Sequence, residues 1–75
     1  MFKVGEKYKM LKAGAMEQKD VKWVNAVVEY IPKHQFFIQF RFHFVNMFGE
    51  HTSYTESFSP NELRSMKKTG VLVKR

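Results

Sequence analysis

The stretch Gln35-Phe36-Phe37-Ile38-Gln39-Phe40-Arg41-Phe42-His43-Phe44-Val45 decides the fold. Phe36, Ile38, Phe40, Phe42 and Phe44 share one parity, and Phe37, Gln39, Arg41, His43 and Val45 take the other. Successive side chains of a strand point to opposite faces, so this alternation predicts a half-buried strand with one apolar face. A slip of one residue would expose all five large apolar groups, which fixes the face that turns inward.

The same period of two runs from Lys22 to Phe58. Upstream, Lys22 to Ile31 places Val24, Ala26, Val28 and Tyr30 on one parity, with Trp23, Asn25, Val27 and Glu29 on the other. Pro32-Lys33-His34 has the length of a hairpin loop. Closing it with Ile31 opposite Gln35 pairs Tyr30 with Phe36, Val28 with Ile38, Ala26 with Phe40 and Val24 with Phe42, all apolar pairs on one face. Downstream, Met47-Phe48-Gly49 reads as a three-residue turn whose glycine suits a left-handed position. It sets Phe44 opposite Thr52, Phe42 opposite Tyr54 and Ile38 opposite Phe58. This register also puts Glu56 on the core face opposite Phe40, a conflict that a bulge or a frayed edge would relieve.

Shorter pieces flank this meander. Phe2 to Leu11 carries Phe2, Val4, Tyr8 and Met10 on one parity, with Gly5 as a bend. Ser59 to Met66 reads as one or two helical turns: Ser59 caps, Pro60 fits the first helical position, and Glu62 completes a capping box. Gly70 breaks the chain into a last strand, Val71-Leu72-Val73, and residues 12–21 form a long mobile loop.

Composition narrows the class. The chain has 75 residues, room for one domain spanning 1–75. It is 44% hydrophobic with eight Phe, three Tyr and one Trp, too apolar for intrinsic disorder. With no cysteine, disulfides, thiolate metal sites and cysteine nucleophiles are excluded. The first residues lack the apolar run of a signal peptide, and no segment is apolar for the length of a membrane span. The expectation is a cytoplasmic protein without a membrane partner. The net charge of +6 is uneven: both ends are basic, while residues 23–59 hold two cations against three acids.

The element order is a strand with a glycine bend, a long loop, a three-strand meander, a helical turn and a short last strand. It resembles the SH3-like small barrel of bacterial and phage-encoded proteins. The phrases that carry the likeness are Phe2-Lys3-Val4-Gly5-Glu6-Lys7-Tyr8 and Phe58-Ser59-Pro60-Asn61-Glu62-Leu63. The resemblance implies an all-β, five-stranded SH3-like barrel with one short 3₁₀ or α turn before the last strand. It implies no proline-rich ligand, because the acidic first loop and the aromatic signature of peptide-binding SH3 domains are missing. An OB-type barrel, the main alternative, requires a longer helix than Asn46 to Glu50 provides.

Two surfaces then attract attention. The outward parity carries Trp23, Asn25, Arg41 and His43, an aromatic ring among polar and cationic groups that suits base stacking with phosphate contact. In an SH3-like barrel the first and last strands adjoin, which gathers Lys3, Lys7, Lys9, Lys12, Arg64, Lys67, Lys68, Lys74 and Arg75 on one side. The expectation is a non-enzymatic module that binds nucleic acid, DNA or RNA, through Trp23, Asn25, Arg41, His43, Lys7, Lys9, Lys67 and Lys68. The alternative is a protein-interaction adaptor or inhibitor of phage type. It would meet a host protein or a second copy of itself through the outward apolar residues Val27, Phe37 and Val45 and the hairpin tip at Phe48. The acids are scattered without the pairing that acid–base chemistry needs, and no third ligand joins His43 and His51, so neither catalysis, metal nor cofactor is expected.

Overall fold

The computed structural model describes residues 2–13 and 21–75, with the side chains of Ala13 and Val21 left aside. Among the described residues the protein is mostly β: β1 (Lys7–Ala13), β2 (Val21–Tyr30), β3 (Ile38–Val45), β4 (His51–Phe58), one helix α1 (Pro60–Lys68), and β5 (Leu72–Lys74). The strands form a single antiparallel sheet of order β4-β3-β2-β1-β5, so β1 and β5 are neighbours as expected. Most of the long-loop reading, residues 14–20, lies outside the described residues; Lys12 and Ala13 belong to β1.

One face of the sheet is the core. Tyr8 and Met10 on β1, Ala26 and Val28 on β2, Ile38, Phe40 and Phe42 on β3, Phe58 on β4 and Leu72 on β5 are all buried there. Leu63 from α1 completes the cluster, and Phe2, Val24, Ile31 and Met66 pack at its margin. Phe40 and Phe42 are 0% exposed, each in contact with the Phe58 ring. Burying a side chain of this size contributes roughly 1.5–3 kcal/mol, so this face supplies most of the driving force.

The β3–β4 hairpin has the expected register throughout, from Ile38 opposite Phe58 to Phe44 opposite Thr52. Asn46 sets its turn: the Asn46 Oδ1 accepts from the backbone N–H of Phe48 and of Glu50, and Gly49 takes a φ of 79°. No bulge relieves Glu56, which stays opposite Phe40 in an unbroken ladder. Its carboxylate instead meets the Lys12 ammonium, which reaches across the core face from β1.

The β2–β3 hairpin departs from the expected register by two residues. Val28 pairs with Phe40 and Ala26 with Phe42, not with Ile38 and Phe40, so Val24 no longer faces Phe42. The connection spans residues 31–37 rather than Pro32-Lys33-His34, because Pro32 is buried and Gln35 turns the chain with a left-handed φ of 57°. An even shift keeps every side chain on its face, which is why the core residues of both strands survive the slip. The ladder also shifts between Val28 and Tyr30, where Glu29 is the extra residue. This bulge moves Tyr30 to the outward parity opposite Gln39, and Tyr30 and Phe36 are exposed instead of joining the core. At the N-terminus the strand starts at Lys7, and Val4, at the turn before it, is exposed.

The helix forms as its local signals demand but runs to nine residues, longer than the expected turn. Ser59 Oγ accepts from the Glu62 N–H at 3.1 Å, and Glu62 Oε1 accepts from the Ser59 N–H at 2.9 Å. At the other end Gly70, with φ 83°, donates to the Lys67 carbonyl and Val71 donates to the Met66 carbonyl. This Schellman closure is what turns the chain into β5.

Candidate nucleic-acid interface

The ladders assemble the outward face in rows. Lys7, Val27, Arg41 and Thr55 lie side by side across β1, β2, β3 and β4. The next row is Val73, Lys9, Asn25, His43 and Ser53, with β5 added at the edge. A third begins with Leu11 opposite Trp23, and Val45 opposite His51 extends β3 and β4 beyond their pairing with β2. Six of the expected contact residues, Trp23, Asn25, Arg41, His43, Lys7 and Lys9, therefore share one face. The partners differ from expectation because of the two-residue slip: Asn25, not Trp23, stands opposite His43, and Val27, not Asn25, opposite Arg41.

Trp23 is 48% exposed, and the Lys9 ammonium lies 4.9 Å from the centre of its ring. A cation over an indole is attracted by the negative face of the ring, so Lys9 is held beside the aromatic platform rather than dispersed in solvent. Asn25 and His43 are exposed in the adjoining row.

Arg41 is differently placed. Its Nε donates to Glu29 Oε1 at 2.5 Å, its Nη2 to Glu29 Oε2 at 3.3 Å, and its Nη1 to Ser53 Oγ at 2.9 Å. Gln39 adds a hydrogen bond to the same carboxylate at 2.7 Å. The Arg41 guanidinium, helped by Gln39, holds the Glu29 carboxyl below the usual carboxylate range. The positive charge expected of Arg41 is thus matched within the sheet. The expected register hides this pair: it sets Arg41 opposite Asn25, four residues from Glu29, whereas the two-residue slip sets Arg41 opposite Val27.

The basic side divides in two. Lys7 and Lys9 belong to the outward face, and Arg75 joins the edge of the sheet by donating its N–H to the Lys7 carbonyl. Lys67, however, rests 4.7 Å over Phe2 and 5.6 Å over Tyr8, on the core side of the sheet, and Lys68 follows it on α1. Lys67 therefore lies on the other side of the sheet from Lys7 and Lys9. Lys12 is spent on Glu56, and Lys74 donates to Glu6 Oε2 at 2.9 Å. That bond, with the Lys3 N–H, pulls the Glu6 carboxyl down to about 2.

Of the apolar candidates, Val27 is half-buried within the outward face and Val45 is 56% exposed at its end. Phe37 lies in the β2–β3 connection, half-buried against Tyr30 and His34, not opposite Glu29. Met47 and Phe48 project from the β3–β4 turn, 90% and 78% exposed. Among the described residues, no helix is long and apolar enough to cross a membrane. Comparison with protein-family models, curated proteins and solved structures finds no match.

Proposed function

We propose that the outward face of β1, β2 and β3 binds single-stranded nucleic acid, as a non-enzymatic module of SH3-like barrel type working in the cytoplasm. The observation that carries this reading is the Lys9 ammonium poised on the half-exposed Trp23 ring, with Lys7, Asn25 and His43 in the adjoining rows. A base stacked on Trp23 brings its phosphate within reach of Lys9, while the Asn25 amide and the His43 ring meet base edges. The acid on this part of the sheet, Glu29, is already neutralised by Arg41. The barrel type is supported by the strand order, the adjacency of β1 and β5, and the capped helix before the last strand.

Trp23 is the only tryptophan, so its fluorescence reports stacking directly. With phosphate contacts from Lys7, Lys9 and Arg75, affinity for a labelled oligonucleotide falls roughly twentyfold between about 50 and 200 mM salt. Trp23→Ala weakens binding about 5- to 100-fold while the fold stays intact. Binding that ignores salt, or that survives Trp23→Ala unchanged, refutes the reading.

A second reading, contact with a partner protein or a second copy of the chain, rests on the hairpin tip. Met47 and Phe48 are exposed on a turn whose backbone Asn46 ties down, which lowers the cost of ordering an apolar anchor. Under this reading Phe48→Glu abolishes a salt-resistant complex or a dimer measured by light scattering, and leaves oligonucleotide binding untouched.

A further inference from the structure

The face of α1 turned towards the β2–β3 connection leaves a cleft of about 370 Å³ lined by Phe2, Ile31, Gln35, Ile38, Pro60, Arg64 and Lys67. Ligand pockets for small molecules begin at about this volume. Its floor is apolar, from Phe2, Ile31, Ile38 and Pro60, and its rim carries two cations. Neither cation is matched by an acid among the described residues. Arg64 donates to the neutral Asn61 Oδ1 at 2.9 Å, and Lys67 rests on the Phe2 and Tyr8 rings. The nearest acid on the helix, Glu62, is engaged in the capping box.

Gln35 adds a second, independent observation. It is the one non-glycine residue with positive φ among the described residues, at 57°. A long unbranched side chain gains nothing from the left-handed region, where glycine or asparagine is preferred. Its backbone N–H closes the turn on the Pro32 carbonyl at 3.0 Å, a bond glycine would make equally well. Among the described residues its side chain makes no hydrogen bond, and it stands at the mouth of the cleft. Non-glycine residues held in the left-handed region cluster at active sites and ligand clamps.

We infer that this cleft is a binding site for a small organic acid with an apolar body, an aryl or medium-chain aliphatic carboxylate. The body lies on Phe2, Ile31 and Ile38, Arg64 and Lys67 meet the carboxylate, and the Gln35 amide donates a further hydrogen bond to it. A guanidinium forks onto a carboxylate with two parallel bonds, whereas an alcohol of the same skeleton leaves both cations without a partner. The site is on the core side of the sheet and is independent of the outward face that contains Trp23.

The test is a titration of the whole protein, followed by amide chemical shifts, with three probes: hydrocinnamate, hydrocinnamyl alcohol and phenyl phosphate. Hydrocinnamate is expected to shift Ile31, Gln35 and Ile38 saturably with a Kd of about 1–5 mM, in keeping with its small size. The alcohol binds at least tenfold more weakly. Arg64→Gln with Lys67→Gln, both exposed positions, removes that preference, and Trp23→Ala leaves it unchanged. Gln35→Gly raises the melting temperature and weakens hydrocinnamate several-fold. Absence of saturable shifts in the cleft, or equal affinity for acid and alcohol, overturns the site. Tighter binding of phenyl phosphate overturns the carboxylate assignment in favour of a phosphate ester. Undiminished affinity in Gln35→Gly overturns the part assigned to that residue.

Discussion

On the core face of the sheet, Lys12 reaches from β1 past two intervening strands to Glu56 on β4; on the outward face, Arg41 on β3 meets Glu29 on the strand beside it. The first ammonium lies 4.4 Å from the centre of the Phe42 ring, 5.3 Å from Tyr54 and 6.0 Å from Phe58. The second cation rests on no ring among the described residues and is held by the Glu29 carboxylate and the Ser53 hydroxyl, while the Gln39 amide donates to the same carboxylate. The two pairs have opposite consequences. The inner one links the far edge of the sheet to β1 over an aromatic platform, and so belongs to stability. The outer one neutralises a cation on the surface proposed to bind nucleic acid, and so bears on that proposal more than on the core. Charge on a strand therefore cannot be assigned to binding from its face alone; its nearest counter-charge decides.

The largest effect should come from the platform beneath the inner pair. Phe42 is fully buried, stacks on Tyr54 at 5.1 Å and supports the Lys12 ammonium. Phe42→Ala removes the ring and leaves a cavity that a sheet cannot close, at a cost of about 3–5 kcal/mol. For a domain of this size that is much of the total stability. Urea denaturation of Phe42→Ala should show the midpoint collapse, whereas Arg41→Ala on the same strand should leave it within about 1 kcal/mol of the parent.

A smaller loss tests the pair itself. Lys12→Met keeps the apolar stem over Phe42 but strands the Glu56 carboxylate opposite Phe40. Because the two side chains remain 22% and 43% exposed, the loss should be only about 1 kcal/mol. Lys12→Met combined with Glu56→Gln should cost less than the two single changes added together, with a coupling of about 0.5–1 kcal/mol in denaturant melts. Strict additivity would show that the contact does not tie β4 to β1.

These pairs also mark the limit of what the residues declare in advance. The alternation from Phe36 to Val45 puts Ile38, Phe40 and Phe42 inside, and a two-residue slip cannot disturb that assignment. The capping box of Ser59 and Glu62 is equally legible, because its partners lie three residues apart. Glu56 is recognisable as a misfit on an apolar face, yet its partner is 44 residues away in sequence and on a strand that is not adjacent. The length of the β2–β3 connection is hidden because the alternation runs on through Phe36 into the loop. Only the buried Pro32 and the left-handed Gln35 end the hairpin earlier. That slip, with the bulge at Glu29, determines which outward residues meet, so the face of the candidate site is readable but its contacts are not.

Breaking the outer pair should sharpen the comparison in the other direction. Glu29→Gln frees the Arg41 guanidinium while leaving it beside His43 and Asn25. If the outward face takes a single strand, affinity should rise several-fold at low salt, and the slope of log K against log salt should steepen by about 0.7, the value of one added phosphate contact. The companion Lys12→Met should change neither quantity. An unchanged slope in Glu29→Gln would mean that the strand does not pass over Arg41.

The smallest effect belongs to a third pair, Lys74 with Glu6, which joins β5 to the approach of β1. Glu6 also accepts from the Lys3 N–H at 2.8 Å and from the Tyr8 hydroxyl at 3.3 Å. Together these donors lower its carboxyl from 4.5 to about 2. A carboxyl whose folded value lies below its unfolded one stabilises the fold above the unfolded value and loses that contribution as it is protonated. The stabilisation by Glu6 should therefore be complete above pH 4.5, shrink as the pH falls, and be gone near pH 2. Glu6→Gln should melt slightly below the parent at neutral pH, and the two melting curves should converge across that window. A gap that persists at pH 2 would assign the loss to the hydrogen-bond geometry of the β1 approach instead of to charge. A gap at neutral pH as large as that of Lys12→Met would show that the aromatic platform adds nothing to the inner pair.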